Sequence, residues 1–108
     1  MNYAPKVDRN QTEIVAALRA VGAFVEPRLS RIGGGVADLL GAYRGAWFVI
    51  EVKVPGAPKR TPGSVDPRLT HAQIEWFWKA RLVAPVTVVE TVDEALRALA
   101  DLADSDVT

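Results

Sequence analysis

The chain reads as an α/β domain, a central mixed sheet flanked by helices in the order αβββαβα. Three observations predict this. Apolar residues recur at helical spacing in three separate segments, and short β-branched or aromatic runs lie between them. Two apolar runs flank Tyr43-Arg44-Gly45-Ala46, the pattern of a hairpin. On the second of these runs Phe48, Ile50, Val52 and Val54 share one face, while Trp47 and Val49 share the other with Glu51 and Lys53. A strand apolar on both faces needs cover on both, so helices are expected above and below the sheet, with Trp47 and Phe48 in the core.

Each element has its own warrant. In residues 10–21, Ile14, Ala17, Leu18 and Val21 fall at helical spacing and Gly22 ends the run. Asn10 followed three residues later by Glu13 has the form of a capping box, which gives Glu13 a structural role at the helix start. Ala23–Pro27 reads as a short strand. Gly33-Gly34-Gly35 follows, a loop able to take positive φ angles and to let a phosphate backbone come close; no Gly-Lys-Ser/Thr follows it, so it is not a P-loop. Val36–Tyr43 and Trp47–Val54 make the hairpin. Residues 55–69 hold four prolines and two glycines with Lys59, Arg60 and Arg68, a loop that either reaches over a ligand or is simply solvated. Thr70 opens the second helix with Gln73 at the capping-box position. Val86–Glu90 is a strand after Pro85, and Thr91 caps a last helix striped by Ala95, Leu96, Leu99 and Leu102. Residues 1–8 and 104–108 are expected to be mobile ends around a single domain, 1–108, with its core at about 9–99.

Three ionisable residues, Asp38, Glu51 and Lys53, interrupt the hairpin's apolar runs. Charged groups in such strands require pairing, hydrogen bonds or a metal. With Arg44-Gly45 as a two-residue loop, opposed residues have numbers that sum to 89, so Asp38 faces Glu51. Opposed Cβ atoms lie about 4.5–5.5 Å apart. Lys53 follows two residues on, on the same face. Two carboxylates so close suit a hard cation such as Mg²⁺, with Mn²⁺ as a substitute, leaving room for a phosphate oxygen and a water. The plain alternative is a salt bridge between Glu51 and Lys53 at a strand end.

Asp38, a hairpin, then Glu51-Val52-Lys53 resembles the D…ExK signature of the PD-(D/E)XK nuclease superfamily. The glycines before Asp38 and the helix carrying Gln73 are similar to its VRR-NUC branch, which includes small stand-alone phage and bacterial nucleases related to Holliday-junction resolvases. The resemblance runs from about Arg9 to Leu99; Ala37 stands where the superfamily often has proline. It implies a restriction-endonuclease-like core and an Mg²⁺-dependent endonuclease cutting structured or branched DNA. Asp38, Glu51 and the Val52 carbonyl would hold the metal, Lys53 would act on the water or the transition state, and Gln73 and Glu13 would support the site. Arg31, Gly34, Gly35, Lys59 and Arg60 are the expected DNA contacts. A homodimer is expected too, from the resemblance to resolvases and because cutting two strands needs two sites while one chain offers one; exposed Trp76 or Trp78 would serve in it. The alternatives from other classes are a catalytically inactive nucleic-acid-binding module and an unrelated scaffold with a salt-bridged hairpin.

Composition narrows the partners. The 108 residues contain no cysteine and one histidine, His71, which removes disulfides, thiolate sites and histidine-rich zinc sites. No apolar run nears the roughly 18 residues of a membrane span, and the N-terminus does not read as a signal peptide, so a cytoplasmic protein without membrane contact or organic cofactor is expected. Thirteen basic and thirteen acidic residues give no net charge, so nucleic-acid binding would depend on local segregation: acids gather toward the C-terminus, while Arg28, Arg31, Arg44, Lys53, Lys59, Arg60 and Arg68 recur around the proposed site.

Overall fold

The computed structural model describes residues 9–105. Helix α1 (Arg9–Ala20) is followed by strand β1 (Phe24–Glu26), a one-turn 3-10 helix (Leu29–Ile32) and the strands β2 (Leu39–Tyr43) and β3 (Ala46–Val52). Helix α2 (His71–Arg81), strand β4 (Val86–Val89) and helix α3 (Val92–Ser105) complete the order αβββαβα. Residues 1–8 and 106–108, expected to be mobile, lie outside the described residues. Asp104 and Ser105 form the last residues of α3.

The hairpin closes as its turn residues require. Arg44 at φ 50° and Gly45 at φ 86° both take left-handed backbone, the condition for a two-residue turn whose twist matches the strands. Tyr43 therefore pairs with Ala46 and Leu39 with Ile50. β1 joins the outer side of β2 antiparallel, and β4 joins β3 in parallel, giving the mixed order β1-β2-β3-β4.

One sheet face carries the core. Ile14, Val15 and Leu18 of α1, then Ala95 and Leu99 of α3, pack on Val25, Leu39, Phe48, Ile50, Val52 and Val89. The Phe48 ring lies directly on Gly41, where any Cβ would overlap it. Burying a side chain such as Ile50 contributes about 1.5–3 kcal/mol, so this stripe is the principal source of stability.

The opposite face is covered only in part. α2 packs there through its first turns, reaching Glu51 with Gln73, and none of its residues is fully buried. Trp47, expected in the core, is 60% exposed because it stands at the hairpin-tip end of this face, away from the α2 contact at Glu51. Phe48 is buried as expected.

Candidate functional site

The register brings the two carboxyls together. Asp38 lies one residue beyond the β2–β3 ladder, in line with Glu51. Its Oδ2 accepts the Val52 amide N–H at 2.8 Å, the bond a further strand carbonyl would have taken. In a strand the N–H and C=O of one residue point the same way, so the Val52 carbonyl is directed to the Asp38 side as well. Glu51 is 5% exposed, the one buried charged residue among those described. Burial first, then the adjacent Asp38 charge, push its carboxyl up to about 7 despite the opposing pull of Lys53. A side-chain hydrogen bond between the two carboxyls adds to this, and such a bond requires a proton on one of them.

Lys53 and Gln73 complete the cluster. Lys53 Nζ lies 3.3 Å from Glu51 Oε2 and donates to Gln73 Oε1 at 3.1 Å. Gln73 Nε2 donates to the same Glu51 oxygen at 2.9 Å. The capping role open to Gln73 in the sequence is filled: its Oε1 also accepts the Thr70 N–H at 2.8 Å, while Thr70 Oγ1 accepts the Gln73 N–H, a complete capping box. The cap fixes the amide's rotamer, and the fixed amide then holds both Lys53 and Glu51. Lys53 is clamped through its backbone too. Its N–H donates to the Val89 carbonyl at 2.8 Å, and its carbonyl accepts from Asn10 Nδ2 at 2.8 Å.

Asn10 was not legible as a site residue. It is the second residue of α1 rather than its cap, so the expected capping box with Glu13 does not form. Its amide instead ties α1 to the end of β3. Glu13, one turn later, is exposed and makes no hydrogen bond or ion pair within the described residues; it borders a shallow groove with Asn10, Pro55, Glu90 and Asp93. The structure therefore does not bring Glu13 into the Asp38–Glu51–Lys53–Gln73 cluster.

The glycine loop divides by role. Gly34, at φ 70°, is exposed with open space where a Cβ would stand. Gly35, at φ 85°, packs against α2 so closely that a Cβ would overlap the Ala72 carbonyl and crowd the Gln73 nitrogen. Its first task is to seat the helix that carries Gln73. Arg31 is exposed at the end of the 3-10 helix.

Residues 55–69 form a built loop. The Arg60 and Thr61 N–H groups both donate to the Pro67 carbonyl, Thr61 Oγ1 donates to the Leu69 carbonyl at 2.6 Å, and Leu69 is 1% exposed. Lys59 and Arg60 remain exposed. Arg68 does not: its guanidinium grips Asp66 and reaches Glu90 at 2.6 Å, which anchors the loop to the end of β4. Arg28 is likewise neutralised by Glu26. With Lys53 on Glu51, three of the seven basic residues expected around the site are thus already paired with acids.

Among the described residues no three His, Cys, Asp or Glu side chains converge as a metal-ligand group, and no helix is long and apolar enough to cross a membrane. Two carboxyls and a carbonyl still suit Mg²⁺, which takes one or two carboxylates and retains waters. Comparisons with protein-family models, with curated proteins and with solved structures found no match.

Proposed function

We propose that this chain is a metal-dependent endonuclease hydrolysing phosphodiester bonds of structured DNA, a VRR-NUC-like member of the PD-(D/E)XK superfamily with a restriction-endonuclease-like core. The observation that carries the reading is the pair of the buried Glu51 and the half-buried Asp38 beside Lys53. Two carboxyls held in contact, one of them pushed up to about 7, need a proton or a cation between them. The donor set fits Mg²⁺, with Mn²⁺ as substitute, held by Asp38, Glu51 and the Val52 carbonyl. Such an ion, when bound, acts as a Lewis acid on the phosphate and lowers the pKa of a bound water. Lys53, held by Gln73, orients the attacking water and stabilises the charge that develops on the phosphoryl oxygens as the bond to the leaving sugar oxygen breaks.

Arg31 and Gly34, with Gly35 behind them, and Lys59 and Arg60 supply backbone contacts on either side. Cutting both strands of a branched substrate calls for two such sites, hence a homodimer. One observation favours a second reading. Glu51 already has Lys53 and Gln73 as partners, the pattern of a settled structural network, as in a binding module without turnover.

The deciding experiment is cleavage of labelled duplex, nicked, flap, junction and single-stranded DNA with Mg²⁺ or Mn²⁺, beside Asp38→Ala and Glu51→Ala. The nuclease reading expects cleavage that requires metal and falls at least about 100-fold in each variant. Binding of structured DNA without cleavage selects the second reading.

A further inference from the structure

The face that carries Glu51 and Lys53 also carries two exposed aromatic rings. Phe24 pairs with Ala42, and Ala42 pairs with Trp47, so the three side chains form one row across β1, β2 and β3. Alternation along β3 puts Trp47 on the side of Glu51 and Lys53. Phe24 is 56% exposed and Trp47 60%, and their ring centroids lie 6.3 Å apart, edge to face. The small Ala42 between them lets the rings lean together over the sheet. At the hairpin tip Arg44 is exposed, with its guanidinium 5.2 Å over the Tyr43 ring, which packs on the core face and not beside Trp47. It makes no ion pair with any described residue.

We propose that Trp47, supported by Phe24, is a stacking platform for an unpaired nucleobase of the strand whose phosphate lies at Asp38 and Glu51. The choice of nucleic acid rests on the nuclease reading. Four residues of extended strand separate Trp47 from Glu51, about 13 Å. A strand stacked at the duplex rise of about 3.4 Å per nucleotide reaches the platform in about four steps, and a stretched one in fewer. In a duplex both faces of each base are covered by neighbours, so an indole face selects bases already unstacked, whatever their identity. A second copy of the chain is a poorer occupant. Two aromatic side chains bury about 150–250 Å² each, well short of the roughly 800 Å² per partner of a stable interface.

The test is binding of a fluorescein-labelled thymidine dodecamer, without metal so that nothing is cut, by the parent, Trp47→Ala and Trp47→Phe. Trp47→Ala is expected to weaken binding about tenfold, the effect of losing one stacked base. Trp47→Phe keeps most of the affinity. A dodecamer of abasic sugars binds the parent about as weakly as the thymidine strand binds Trp47→Ala. Equal affinity of parent and Trp47→Ala, or of thymidine and abasic strands, overturns the platform. So does sedimentation in which Trp47→Ala turns a dimer into a monomer while strand affinity is unchanged. Trp47-dependent binding in a chain that never cleaves DNA would keep the platform and remove the nuclease.

Discussion

At the scale of single residues, the site turns on how Lys53 is held. Its ammonium touches both the Glu51 carboxylate and the Gln73 amide, and its backbone is pinned at N–H and at C=O. A side chain so confined suffers little further loss of rotamer freedom when it meets a substrate, which is what a group acting on a developing charge requires. Lys53→Met retains the aliphatic stem and removes only the ammonium. In the proposed nuclease this variant should lose about 100-fold or more in kcat with little change in KM, because the charge it answers appears only in the transition state. Steady-state kinetics on the preferred substrate give the measurement. A Lys53 that serves only to neutralise Glu51 would leave kcat near the parent value and show its loss in the denaturation midpoint instead.

At the scale of elements, the hairpin was legible and its surroundings were less so. Tyr43-Arg44-Gly45-Ala46 specifies a two-residue turn, and a turn fixes register by counting, so the alignment of Asp38 with Glu51 follows from local chemistry. Thr70 and Gln73 were readable for the same reason, a cap being written within four residues. Asn10 misled because its capping pattern is also the pattern of a helix residue whose amide reaches another element, here the Lys53 carbonyl. The Arg68–Asp66–Glu90 anchor and the openness above Trp47 depend on where a fifteen-residue loop and α2 come to rest, which no local pattern records. Gly35 shows the same limit: its glycine was expected, its contact with Ala72 was not. That contact separates two neighbouring substitutions. Gly34→Ala meets open space and should cost about 1 kcal/mol, the penalty of left-handed backbone alone. Gly35→Ala should cost about 2 kcal/mol or more and loosen Gln73, since its Cβ meets backbone that has no freedom to yield. Urea denaturation of the two variants compares them directly, and equal losses would remove the role assigned to Gly35 in seating α2.

At the scale of the whole molecule, the buried Glu51 beside Asp38 couples folding to pH and to cations. Glu51 titrates at about 7 in the fold, above its ordinary value of 4.5, so between these values the native chain holds a proton that the unfolded chain releases. Stability then falls as pH rises, which makes the contribution of Glu51 complete below its ordinary value and lost above about 7. Asp66 acts in the opposite sense. Its hydrogen bonds from Arg68 hold it below the usual range, so its contribution is present at neutral pH and lost in acid. Together they place the optimum of the metal-free protein in mildly acid solution. A shift of 1 kcal/mol moves the midpoint of a domain this size by roughly 4–8 °C, so the metal-free Tm should drop by several degrees between about pH 5.5 and pH 8. A divalent cation that binds the ionised pair replaces the missing proton. Millimolar Mg²⁺ or Mn²⁺ should therefore restore most of the lost Tm at the alkaline end and change little at the acid end. Glu51→Gln should flatten the pH dependence and abolish the metal response together. Calorimetric scans across this range, with and without metal, separate the proposed centre from a salt bridge: a salt-bridged hairpin end would keep the pH slope and gain nothing from the cation.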